Sequence, residues 1–189
     1  MKEQPVTGAV NGVDVRKLKE TIQAINETPS LADFRFRITN EWQNGGLNQT
    51  IVKASYGAGQ QFQERDGKFK MQADEPKILL SGDKAANPVE YLLHALAACV
   101  TTTAVYHAAA KQIRLESVES DLEGELDLHG FLGLDPNVPK GYKKIRMNVR
   151  VTGDLSEEQK REVVQLGCDF SPVYNMMSKS VPITVEVSS

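Results

Sequence analysis

Apolar and polar positions change period several times along this chain. Residues 13–27, VDVRKLKETIQAINE, carry Val15, Leu18, Ile22 and Ile25 at helical spacing, which predicts an amphipathic helix packing one stripe. Asp14 suits its N-cap, and Thr28-Pro29 stops the run. Residues 34–42, FRFRITNEW, alternate instead: Phe34, Phe36 and Ile38 fall on one face, Arg35, Arg37 and Thr39 on the other. That is the period of a strand. QNGG at 43–46 is a hairpin-type turn. LNQTIVKASYG returns as a second strand and GKFKMQA, 67–73, as a third. The loop DEPKILLSGDKAANP leads to a predicted helix, with Asn87 as N-cap and Pro88 at its first position.

Beyond that helix, Leu122, Leu126 and Leu128 alternate with Glu119, Asp121, Glu123, Glu125 and Asp127. Residues 142–151 set Ile145, Met147, Val149 and Val151 against Lys144, Arg146 and Arg150. An acidic-faced strand and a basic-faced strand, joined by a loop at 129–141, predict antiparallel pairing with opposite charges across the ladder, as a solvated outer surface. A helix then starts at a capping box of Ser156 and Gln159, with Leu155 as hydrophobic staple, and Gly167 is expected to loosen its end. Ser171 and Pro172 open a second short helix. VPITVEV, with Val181, Ile183, Val185 and Val187 on one face, is expected to close the chain as a strand. The order is α+β, with a helical extension over residues 1–30 and one domain over 31–189.

Residues 91–110, YLLHALAACVTTTAVYHAAA, contain no Asp, Glu, Lys or Arg. The length suits a bilayer, but the histidines, threonines and tyrosines, with Ala rather than Leu as filler, do not. The expectation is a helix apolar on all sides and therefore buried on all sides. One small sheet covers one side of it. A second subunit is the natural source of the other cover, so burial predicts a homodimer.

Composition narrows the classes of function. The chain has 189 residues, 25% of them charged, and a net charge of −3. Lys and Arg are dispersed, which argues against nucleic acid or an anionic membrane surface as partner. The first residues lack the apolar run of a leader peptide, so a cytoplasmic location is expected, and the sequons at Asn26 and Asn48 read as chance matches. Two cysteines make no disulfide framework there. Motifs for nucleotides, metals or a serine nucleophile are missing, and His94, His107 and His129 are scattered; no cofactor and no metal site is predicted.

Cys99 is the candidate with chemical content. A cysteine in an Ala-rich helix is ordinarily packing filler. At about 100° per residue, however, Leu92, Ala95, Leu96, Thr102, Thr103 and Tyr106 share its side. Apolar bulk mixed with hydroxyls suits a small pocket for an apolar molecule beside a thiol. Activating that thiol takes a cation or a hydrogen-bond donor, which the helix itself does not supply.

NPVEYLLHALAACVTTTAVYHAAAKQI, followed by SPVYNMMSKSVPITVEV, resembles the OsmC/Ohr family of osmotically induced and organic hydroperoxide resistance proteins. The resemblance runs from about Phe34 to the C-terminus. It implies an OsmC-like fold: antiparallel sheets wrapped around long buried central helices in an intertwined homodimer. It also implies a peroxidase using two cysteines. Cys99 matches the one on the central helix, which attacks the peroxide and becomes a sulfenic acid. The second belongs to a Cys-Pro-Val motif, where this chain has Ser171. Cys168, three residues earlier, is the substitute resolver to consider. The family's activating glutamate follows Asn-Pro directly; that slot is Val89 here, and Glu90 is the neighbouring candidate. For the activating arginine, Arg35, Arg37 and Arg65 are available, and Arg37 is taken.

Two functions follow. One is a thiol-dependent peroxidase acting on a small apolar hydroperoxide at the dimer interface, with Cys168 or an external thiol reductant completing the cycle. The other is a dimer that keeps the cavity, binds an apolar small molecule and has lost part of the peroxidase machinery. A structural module using the N-terminal helix as partner surface is a third.

Overall fold

The computed structural model describes residues 8–187, so the first seven residues of the expected extension lie outside the described part. The chain divides into two compact units, residues 14–92 and residues 93–187 with the segment before Asp14. The elements in chain order are β1 (Ala9–Val10), β2 (Val13–Asp14), α1 (Val15–Glu27), β3 (Ile38–Asn44), β4 (Leu47–Val52), β5 (Ser55–Gly57), β6 (Gln60–Phe62) and β7 (Lys70–Ala73). There follow α2 (Pro88–Ala110), β8 (Ser117–Leu126), α3 (Leu128–Phe131), β9 (Tyr142–Thr152), α4 (Glu157–Phe170) and α5 (Pro172–Ser178).

In the first unit, β3, β4 and β7 form an antiparallel sheet in that order. The turn between β3 and β4 needs a left-handed residue, and Gly45 supplies it at φ 57°. Asp14 caps α1, its carboxylate accepting from Lys17 N at 3.0 Å. The strand expected from residue 34 begins only at Ile38. Phe34, Phe36 and their neighbours are tied to β5 by a single bridge from Arg35 to Tyr56. Asp74, 1% exposed, pins the loop before α2. Its carboxylate accepts from Ser81 Oγ, from Glu75 N at 2.9 Å and from Lys84 N at 3.0 Å. Those donors, Ser81 first, hold its pKa below the ordinary carboxylate value.

In the second unit, β8 and β9 pair antiparallel, with Glu119 opposite Arg150, Glu123 opposite Arg146 and Glu125 opposite Lys144. The expected charge ladder forms: Arg150 reaches Glu119 at 2.7 Å, and Arg146 reaches Glu123 at 2.7 Å. The core is Ala104, Ala108, Val151 and Val163, with Leu155 packed against it. Ser156 and Gln159 form the expected reciprocal capping box on α4.

Two expectations are corrected. Gly167 does not loosen α4; it is buried within the helix, which continues to Phe170. Residues 180–187 form no strand among the described residues, because no neighbouring strand pairs with them, and Ile183 and Val185 are exposed. The expectation for α2 combined cover from its own chain with cover from a second subunit, and the chain's own share is one face. By length and composition it could cross a bilayer, yet its buried residues Leu96, Val100, Ala104 and Ala108 form one stripe repeating every fourth residue, with Ala109 buried beside its end. The stripe of His94, Ala98, Thr102 and Tyr106 is exposed. One chain supplies cover for one face only.

Candidate functional site

The N-terminus of α2 is fixed by Asn87 and Glu90. Asn87 Oδ1 accepts from Glu90 N and Glu90 Oε2 accepts from Asn87 N, both at 2.8 Å. This is a reciprocal capping box with Asn in the Ser/Thr position. Tyr91 Oη donates to Gln72 O at 2.7 Å, tying the first turn to β7. Glu90 is therefore an exposed capping carboxylate.

Cys99 lies near the middle of α2, half-buried and with a free thiol. The next residue, Val100, is 1% exposed and belongs to the stripe that meets α4. Gly167 makes that meeting close. A Cβ on Gly167 would stand 2.9 Å from the Val100 carbonyl oxygen and 3.1 Å from Ala104 Cβ. On one flank of this contact His107 stacks on Phe170, ring centroids 4.4 Å apart, and Lys111 pairs with Glu162.

Ser171, fully buried, ends α4 and caps α5, its hydroxyl accepting from Tyr174 N at 3.1 Å. At the place of the family's second cysteine, then, the chain holds a hydroxyl engaged in a helix cap. Cys168, half-buried with a free thiol, sits in the last turn of α4. Burial, and then the neighbouring Asp169 carboxylate, push its pKa above the ordinary thiol value. One turn before Cys99, Leu96 lines an apolar cleft of about 220 Å³ with Ile145, Met147, Tyr174, Met177 and Ser178.

The three arginines belong to the first unit. Arg37 is exposed, and its carbonyl accepts from Lys53 N at 2.9 Å. Arg35 lies over the Tyr56 ring at 5.6 Å. Arg65 lies over Phe69 at 5.1 Å, and its Nε is buried with no hydrogen-bond partner among the described residues. That unpaired donor had no signal in the sequence beyond the arginine itself. Of the histidines, His107 is the stacking partner of Phe170 and His129 pairs with Asp127 at 2.9 Å. Among the described residues no cluster of His, Cys, Asp and Glu is arranged to hold a metal ion.

A family model described as OsmC-like protein matches residues 81–186. Solved structures share the fold. An OsmC-like protein from Mycoplasma pneumoniae is 20% identical, with 77% of this chain and 89% of that one covered at a TM-score of 0.60. An organic hydroperoxide resistance protein from Legionella pneumophila is 19% identical, with 76% and 88% covered at 0.55. The organic hydroperoxide resistance protein OhrB of Bacillus subtilis is 18% identical, with 77% and 92% covered at 0.50. The search of curated proteins gave no match.

Proposed function

The chain belongs to the OsmC-like protein family, and from that membership we propose that it reduces organic hydroperoxides through the thiol of Cys99. The thiolate attacks the distal peroxide oxygen. An S–O bond forms as the O–O bond breaks, the alkoxide leaves and takes a proton, and an alcohol and a Cys99 sulfenic acid result. A second thiol then displaces water from the sulfenic sulfur to give a disulfide, and further thiol reduces it. Two electrons pass for each hydroperoxide.

The observation that carries this reading is the position of Cys99. It is a free, half-buried thiol in the middle of α2, one turn beyond the residue that opens an apolar cleft. Such a cleft suits the hydrocarbon part of a hydroperoxide. Two structures of similar fold bear the name organic hydroperoxide resistance protein. The working form is a homodimer in the cytoplasm, where free thiols persist. Cumene hydroperoxide turnover with dithiothreitol tests the proposal: Cys99→Ser falls to background. Equal rates for variant and wild type end it.

Two observations favour a binding protein as the second reading. Glu90 is held in a capping box, and the place of the second cysteine is a buried cap, Ser171. Such a dimer would hold an apolar small molecule without turnover. The rate of iodoacetamide alkylation at Cys99 separates the two. Faster reaction than free cysteine at neutral pH supports the enzyme; equal or slower reaction supports the binder.

A further inference from the structure

We infer that Cys99 works as a single-cysteine centre, its sulfenic acid resolved by a low-molecular-weight monothiol from solution and not by Cys168. The inference rests on the peroxidase reading for its chemistry and on the α2–α4 contact for its geometry.

That contact is antiparallel. Val163 packs in one cluster with Ala104 and Ala108, while Gly167, one turn later on α4, meets Val100 and Ala104, one turn earlier on α2. The seam is therefore Val100, Ala104 and Ala108 on one helix, and Val163 and Gly167 on the other. At about 100° per residue, Glu162 precedes the seam residue Val163 by one step, and Phe170 lies about −60° from Gly167. On α2, His107 precedes Ala108 by one step, and Lys111 lies about −60° from it. The ion pair of Lys111 with Glu162 and the stack of His107 on Phe170 join these four residues. They mark one flank of the seam.

Cys99 precedes Val100 by one step and lies on that same flank. Cys168 follows Gly167 by one step and lies on the opposite flank, about 200° around α4 from Phe170. The packed seam runs between the two sulfurs, and their Cβ atoms point apart. A disulfide needs Cβ atoms about 3.5–4.5 Å apart and facing. Burial and Asp169 also keep Cys168 in its thiol form, a poor nucleophile toward a sulfenic acid. Cys99 is half-buried on its own flank. There a monothiol displaces water from the sulfenic sulfur and forms a mixed disulfide. A second monothiol attacks the sulfur of the first, releasing Cys99 as thiolate and a small-molecule disulfide.

The test uses the full chain, reduced and then treated in two ways. Diamide joins any cysteines within reach without peroxide chemistry, and peptide mapping is expected to find no Cys99–Cys168 linkage, within a chain or between chains. Equimolar cumene hydroperoxide without thiol is expected to leave Cys99 as a sulfenic acid trapped by dimedone. Added glutathione converts it to a mixed disulfide, and glutathione-supported turnover of Cys168→Ser stays within about twofold of wild type. A Cys99–Cys168 linkage in either treatment, or a loss of more than about tenfold in Cys168→Ser, overturns the inference while the peroxidase reading stands. Failure of peroxide to oxidise Cys99 overturns the peroxidase reading instead, and the diamide result still decides the geometry.

Discussion

Gly167 sets how near α4 comes to α2. In an open helix position, replacing Gly by Ala gains about 1 kcal/mol. Here the added methyl would meet the Val100 carbonyl at 2.9 Å and Val100 Cγ1 at 3.1 Å, and overpacking of that kind costs about 1–3 kcal/mol. Gly167→Ala is therefore expected to lower stability by about 1 kcal/mol net, read from the urea midpoint. A raised midpoint would refute the close approach. Ser171 gives the complementary case, a side chain whose worth is one hydrogen bond. Ser171→Ala removes the cap on Tyr174 N and is expected to cost about 1 kcal/mol, with no gain or loss of hydroperoxide turnover. A fall in turnover would assign the hydroxyl a chemical task. The two residues also show which facts a sequence carries. Ser171-Pro172 announces its helix start within three residues, because caps are local chemistry. Gly167 looks like a helix breaker, because its contact is with another helix and leaves no mark on its neighbours.

Among elements, the β8–β9 hairpin was legible before the fold was known. Its pairing partners carry opposite charges at fixed alternation, so register and charge agree. Those ion pairs are exposed and contribute little each. Arg146→Gln, which leaves Glu123 and Glu125 without their shared partner, is expected to shift stability by less than about 1 kcal/mol. The shift should shrink as salt is added; salt-insensitive loss would indicate a buried role. The end of the hairpin is tied differently. Asp127 accepts from the His129 side chain, the His129 backbone and Lys143, which together hold its pKa down to about 2. A lowered carboxylate pKa adds stability that is complete above the unfolded value of 3.8 and is lost as pH falls through about 2. Amide exchange over residues 127–134 should therefore speed up between those values, and Asp127→Asn should remove that pH dependence. The N-terminal capping box of α2 was half legible. Asn87 reads as a cap, but the resemblance pointed to Glu90 as a candidate for thiol activation, whereas its carboxylate closes back on Asn87.

At the scale of the whole molecule, each unit leaves large apolar side chains exposed. In the first, β3 presents Ile38 and Trp42, the latter 73% exposed. In the second, α2 shows an exposed stripe ending in Tyr106, and the C-terminal segment shows Ile183 and Val185, each 86% exposed. Scattered exposed hydrophobics are ordinary, but those on β3, on α2 and along residues 181–187 together offer apolar surface that a second chain could cover. The sequence anticipated cover on all sides of α2 because its composition records the covered state and not the source of the cover. It read residues 181–187 as a strand for the same reason: alternation is a property of the segment, whereas a ladder needs a neighbour. A second copy of the chain would meet both demands. If it does, folding and association are linked, and the apparent Tm rises with protein concentration. Light scattering at micromolar concentration should then give twice the chain mass, and removing residues 180–187 should shift the population toward monomer and lower the Tm. A concentration-independent Tm together with a monomeric mass would rule out the dimer, leaving these faces for a different partner.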